Sequence, residues 1–189
     1  MTYATKGKRY RLIGSAGARR RKRKTKESEK LELVLAAPEL IAGFFPVYLP
    51  DGGNGVEVWR LKGRPVQLHL KAEVFLEHLA GAYLVNLKGL KALIKDQLDI
   101  SYYVPVPLSP GVVLISVKTR EGALKGDGVN GYVNVCALED YGLVEGGLPL
   151  KEGRVFPCCM QQKTVNQRVH RANLAMWLVH PAEMVAEGL

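Results

Sequence analysis

Arg19, Arg20, Arg21, Lys22, Arg23, Lys24 and Lys26 place seven positive charges within the nine residues from Ala18 to Lys26. Side chains of these types at this density are suited to neutralising a polyanion such as a phosphate backbone, with release of its condensed counterions. With every charge of the run engaged on duplex DNA, log affinity would fall against log salt with a slope of about −6. A solvated tail that only adds solubility, or a nuclear-import address, fits the same run. No aromatic residue interrupts it, so stacking on unpaired bases would have to come from elsewhere, such as Tyr3 or Tyr10.

The other reactive residue types do not gather into a catalytic set. Cys136, Cys158 and Cys159 are an odd number, and two of them are adjacent, so they form no disulfide framework. No CxxC, CxxH or HxxxH pair is present to hold zinc. The sequence has no nucleophile elbow, no P-loop and no GxGxxG fingerprint, and the glycine-rich "DGGNG" lacks the helix that would aim amides at a phosphate. His69, His78, His170 and His180 are scattered and read as surface or capping residues. Cys158 or Cys159 would be reactive only where a positive field lowered a thiol pKa; their apolar surroundings favour inert, buried thiols. The expectation is a protein that is not an enzyme, with no cofactor and no metal.

The basicity is local. Residues 1–30 hold twelve Lys or Arg against two Glu, a balance of +10, whereas the remaining 15 Lys or Arg and 16 Asp or Glu balance to −1. Residues 1–30 are therefore expected to be a flexible basic tail with a "GSAG" hinge, and residues 31–189 a single domain. Apolar residues make up 47% of the chain and recur in short segments from Leu31 onward, enough for a core. No apolar run approaches the roughly 18 residues of a membrane span, and the start of the chain has no apolar stretch like that of a secretory signal. A reduced cytoplasmic setting fits these features.

Those segments must position whatever binds. "KLELVLA" and "GFFPVYL" read as strands, and the glycine-rich "PDGGNG" after them as a turn. "VEVWRLKG" and "PVQLHL" suggest an antiparallel hairpin. "KAEVFLEHLAGAYLVNL" is helical in its spacing, as is "LKGLKALIKDQL", which sets Lys88, Lys91 and Lys95 along one side. "ISYYVPVPL", "VVLISVK" and "YVNVCAL" read as strands, and "LPLKEGRVFPCCM" as a hairpin about Glu152 and Gly153. In the final helix Val165, Val169, Ala172, Met176 and Val179 form an apolar stripe, with Thr164 as N-cap and Pro181 as stop. Leu174, Trp177 and Leu178 lie on its far side, as a dimer contact would require. Arg168 and Arg171 share one flank beside Gln167. The fold expected is α+β, mainly antiparallel strands with two or three helices, the last of them amphipathic.

From about Arg64 onward the chain resembles the competence transcription factor ComK family of Gram-positive bacteria. The blocks that carry the resemblance, in order, are "RPVQLHLKAEVFLEHLAGAY", "KGLKALIKDQLDISYYVPVPLSPG", "VNGYVNVCALEDY" and "EGRVFPCCMQQKTVNQRVHRANLAMWL". Tyr102 and Pro105 match the family's Ser-Tyr-x-x-Pro block. Asn166, Gln167, Arg171 and Ala172 match its last helix, with Leu174 one residue early. The family's Phe-Pro-Thr is here Ile115-Ser116-Val117, its tryptophan is Tyr132, and the basic run is outside its pattern.

The resemblance implies a DNA-binding transcriptional activator of competence, on the nucleoid, that reads A/T-rich boxes of double-stranded DNA as a homodimer or higher assembly, largely through the minor groove. Narrow A/T grooves attract inserted Arg, so a basic arm adding phosphate affinity is coherent with that role. Arg168 and Arg171 would grip phosphates from an exposed helix flank, while Asn166 and Gln167 fit a structural role equally well. A body of net charge −1 needs Lys88, Lys91, Lys95, Arg168 and Arg171 on one surface. The alternative is an RNA- or ribosome-associated protein with an arginine-rich extension.

Overall fold

The computed structural model describes residues 16–50, 52–122 and 127–181, with side chains from Lys26 onward. Residues 1–15, including Tyr3 and Tyr10, lie outside the described residues. The first element, α1 (Ala16–Leu35), corrects two expectations: the basic run from Ala18 to Lys26 is helical, and "KLELVLA" continues that helix where a strand was expected. Leu31, Leu33 and Leu35 alternate as in a strand, but Leu31, Val34 and Leu35 also recur at helical spacing. Arg and Lys are good helix formers, so a helix already running through the basic residues extends over them. Val34 is then buried, with Leu31 and Leu35 packed beside it, while Leu33 stays 71% exposed. The domain boundary expected at Leu31 therefore falls inside a helix.

After a short 3-10 turn, β1 (Ile41–Tyr48) and β2 (Asn54–Arg60) form a hairpin closed by Tyr48 opposite Asn54. The turn needs Gly52 and Gly53, whose φ angles are 83° and 97°. β3 (Val66–Leu68) follows, then the helices α2 (Ala72–Ala82) and α3 (Leu87–Leu98). Three further strands complete the sheet: β4 (Val106–Ser109), β5 (Val112–Lys118) and β6 (Asn130–Asn134). A small hairpin, β7 (Gly147–Pro149) with β8 (Val155–Pro157), precedes α4 (Gln162–Val179). Among the described residues the main sheet has six strands, all antiparallel, in the order β3-β2-β1-β6-β5-β4. The α+β architecture is as expected, with four α-helices among the described residues because the basic region supplies one.

Alternation along the strands divides the core between two faces. On one, Phe44, Val58, Leu114 and Tyr132 meet Val34 of α1 and Phe75, Leu76 and Leu79 of α2. On the other, Ala42, Val113, Ile115, Val117 and Val133 meet Leu148 and Phe156 of the small hairpin and Val165, Val169, Ala172 and Met176 of α4. The apolar stripe of α4 is thus placed as its spacing predicts. Gly43 is required on this face, because a Cβ there would lie 2.5 Å from the Phe156 ring.

The helix begins at Gln162 with Gln161 in the N-cap position, three residues before the expected cap Thr164. Gln162 ties this end down: its side chain accepts from the Leu143 amide at 2.6 Å and donates to the Tyr141 carbonyl at 2.7 Å. A third cluster joins α3 to α4 through Ile94, Ile100, Val104 and Ala175, with Leu98 and Leu178 against it. Leu178, expected on the far side as a dimer contact, is partly covered there within the chain.

β4 covers only half of its neighbour. Its pairing with β5 runs as far as Val106 opposite Leu114, and Ser116 and Lys118 have no strand beyond them. Other groups close that edge. The Arg168 guanidinium donates to the Ser116 carbonyl, the Cys159 amide donates to the Lys118 carbonyl at 2.7 Å, and the Lys118 amide donates to the Met160 thioether at 3.2 Å. The result is a sheet edge sealed by side chains and one loop.

Candidate nucleic-acid interface

The cations expected to bind do not all stand in one place. Arg19, Arg20, Arg21, Lys22, Arg23, Lys24 and Lys26 belong to the first half of α1. The second half docks against β3 and α2, and Glu27 marks where it begins: its carboxylate accepts from the His69 backbone amide at 3.1 Å and lies 3.3 Å from the Lys30 ammonium. Partial burial pushes the Glu27 carboxyl up, but the His69 amide and the Lys30 charge outweigh this and hold it below its usual range.

The second group of cations is assembled by packing. α3 is started by Asn86, whose side chain accepts from the Gly89 amide at 3.1 Å, and stopped by Asp99 in a left-handed conformation. The buried Ile94 fixes the roll of the helix, leaving Lys88 and Lys95 exposed and Lys91 partly covered. Lys91 and Lys95 line a cleft of about 260 Å³ together with Ser101, Tyr102, Tyr103, Val104, Ser116, Asn130 and Tyr132. Lys88 is one turn away and outside this lining. Burial lowers the Lys91 pKa, with Lys95 adding to the fall and Glu73 and Glu77 of α2 opposing it.

Across Tyr103 the lysines meet α4. The Arg168 guanidinium carbon stands 3.8 Å from the Tyr103 ring centroid. Arg168 is only 8% exposed, which corrects the expectation that it lies on an open flank free to grip phosphate. Its spacing from Arg171 is right for a shared flank, but the unpaired β5 edge offers a carbonyl that only a long donor can reach. Burial depresses the Arg168 pKa first, the Tyr103 hydroxyl counters this, and Arg171 adds repulsion. A guanidinium keeps its charge regardless. Arg171 is partly exposed and remains available, as does the surface of Lys95.

Among the family-matching residues, Tyr102 is 78% exposed at the mouth of the cleft, whereas Pro105 is buried. Asn166 is exposed and its side-chain oxygen accepts from Gln162 at 2.6 Å; Gln167 is exposed beside it. Both stand away from the cleft lining. Tyr103, Asn130 and Tyr132 are cleft residues that the sequence reading did not assign to binding. A signal for two of them exists: Asn130 and Tyr132 are two apart on β6 and so face the same side. Burial, reinforced by Glu73, pushes the Tyr132 hydroxyl up to about 12, so it is a proton donor at neutral pH.

Cys158 and Cys159 follow β8 in a loop, not a strand, and Cys158 has its thiol pushed up by burial and by Cys159, against the opposing effects of the Met160 amide and Arg168. A neutral-pH thiolate is therefore disfavoured at Cys158. Among the described residues no group of three or more His, Cys, Asp or Glu could hold a metal ion, and no helix is long and apolar enough to cross a membrane. Comparison of the chain with protein-family models, with curated proteins and with solved structures finds no match.

Proposed function

We propose that this protein is a DNA-binding transcriptional regulator of the ComK type. The observation that carries the reading is the meeting of cations from two helices at one segment: Lys91 and Lys95 of α3 line the cleft with Tyr103, and Arg168 of α4 stacks on that same tyrosine with Arg171 near it. A near-neutral body needs such segregation to attract phosphate. The basic half of α1 adds sequence-independent affinity, and the body supplies site preference.

The docked half of α1 and the cleft belong to the same side of the sheet, with α1 against β3 and the cleft over β5 and β6. Three to four strand spacings, roughly 15–20 Å, separate them, so the two regions engage separated phosphates of one duplex. Self-association is part of the proposal and is supported by Leu174 and Trp177 of α4, 43% and 49% exposed beside the groove of Pro110, Val113 and Val135.

The test is fluorescence-anisotropy binding of the full chain near physiological salt to an A/T-rich duplex, a G/C-rich duplex and a structured RNA. Tighter binding to the A/T-rich duplex is expected. Preference for the RNA would favour the RNA- or ribosome-associated alternative, and absence of binding to all three would overturn the nucleic-acid reading.

A further inference from the structure

The cleft between α3 and the sheet has features that gripping a phosphate does not require. Phosphate contacts need only surface Lys and Arg, which α1 already supplies in number. Here two adjacent tyrosines stand at the rim, Tyr102 78% and Tyr103 51% exposed. Tyr103 has a φ of 55°, a conformation that non-glycine residues adopt at a cost and that surrounding structure must enforce. The guanidinium of Arg168 covers one face of the ring while bonding the sheet edge. The rim is thus held in place before any ligand arrives.

The interior is suited to something planar with polar edges. Asn130 and Tyr132, two apart on β6, line it from the sheet, and the Asn130 side-chain amide makes no hydrogen bond to another described residue. An amide and a phenol side by side present both donors and an acceptor, enough to meet the edge of a heterocycle. The Lys91 and Lys95 ammonium groups stand on the α3 wall, where a phosphate attached to such a ring would lie. At about 260 Å³ the space is near the lower end of small-ligand pockets, fit for one ring system and too small for a duplex groove edge.

We infer that this cleft receives a single unstacked nucleotide of a single-stranded segment, its base stacked against Tyr102, its edge on Asn130 and Tyr132, and its phosphate on Lys91 and Lys95. This deepens the nucleic-acid reading and rests on it: the protein binds a duplex through α1 and the α3 flank and, where a strand is opened or frayed, holds one base out of the stack. Stacking of this kind tolerates any base, because each has a π-face.

The experiment compares the wild-type chain with Tyr102→Ala, Tyr102→Phe and Asn130→Ala. Each is titrated with a short oligothymidylate, the matching oligouridylate and a fully paired duplex, across a range of salt. Tyr102 is largely exposed, so its variants should fold. Tyr102→Ala is expected to weaken single-strand binding by about tenfold to a hundredfold, with the salt slope unchanged because no charge is lost. Tyr102→Phe should retain it within about twofold, and duplex affinity should move far less in both.

A larger effect on oligothymidylate than on oligouridylate identifies the bound strand as DNA, and the reverse identifies RNA; either supports the cleft assignment. Unchanged single-strand binding in Tyr102→Ala, with wild-type duplex binding intact, overturns the nucleotide cleft while leaving the regulator reading in place. Failure of the wild-type chain to bind any of the three overturns both.

Discussion

The molecule carries positive charge in two ways. In α1 the cations are consecutive in the chain and the fold contributes a helical backbone beneath them. Around Tyr103 the cations come from residues some 75 positions apart, Lys91 and Lys95 on one side and Arg168 on the other, and packing through Ile94 and Ala175 brings their helices together. For the function proposed above, the first arrangement would give affinity that depends on charge number and little on geometry. The second fixes aromatic rings, an amide and two ammonium groups at set positions, which is what discrimination requires. Charge density and charge placement are separate properties, and this chain keeps them in separate elements.

The widest separation between the two regions should appear when the charges of α1 are removed by substitution, which leaves the docked Val34 in place. Replacing Arg19, Arg20, Arg21, Lys22, Arg23 and Lys24 with Gln should weaken binding to every duplex by about a thousandfold or more near physiological salt and flatten the salt slope. The ratio of A/T-rich to G/C-rich affinity should be unchanged in the same anisotropy titrations. Equal loss of affinity and preference would break the division.

Arg168→Met removes one charge, yet it should act on stability more than on affinity. Loss of the charge-assisted bond to the Ser116 carbonyl and of the contact with Tyr103 should cost about 2 to 3 kcal/mol, read from urea unfolding. It should also loosen the Tyr103 rim. If duplex affinity fell and stability did not, Arg168 would belong with the α1 charges instead.

Alkaline titration sharpens the contrast from the cleft side. The Tyr132 hydroxyl has its folded pKa raised from 10.0 to about 12, so its stabilising contribution is complete below pH 10 and is lost as pH rises through 12. Wild-type stability should therefore fall by about 2 kcal/mol over that window beyond what Tyr132→Phe shows. An identical pH profile in the variant would mean that the floor of the cleft is wet.

The smallest effect should come at the joint where α1 meets the body. Glu27→Gln should lower stability at neutral pH by about 0.5 to 1 kcal/mol, since the amide accepts from His69 without the charge. Because the Glu27 pKa is depressed below 4.5, its contribution is full above that value and disappears as pH falls through the lower folded one. The wild type and the variant should accordingly converge in acid.

Much of this was legible in the residues. The strand and helix periods of the body located most of its elements, and the α4 stripe of Val165, Val169, Ala172 and Met176 packs as its spacing requires. The misreading of residues 31–35 has a physical cause: leucine alternation suits either period, and the deciding influence was the helix-forming run upstream. Arg168 was legible as a cation and not as a buried one, because its partner is a backbone carbonyl left open where β4 stops short. Nothing local to residue 168 encodes that strand's length. The cleft was equally hidden, since Lys91, Tyr102 and Asn130 become neighbours only once the sheet has formed.

The outer half of β5 has a dynamic consequence. Its Lys118 amide donates to a thioether, a weak acceptor, and the adjoining carbonyls are held by one side chain and one loop amide. In hydrogen exchange this seam should open before the paired strands at the centre of the sheet, with the Lys118 amide among the first to trade its proton. Once open, it would expose the β5 edge that β4 leaves uncovered, a row of backbone groups on which an extended peptide from another molecule can add as a further strand.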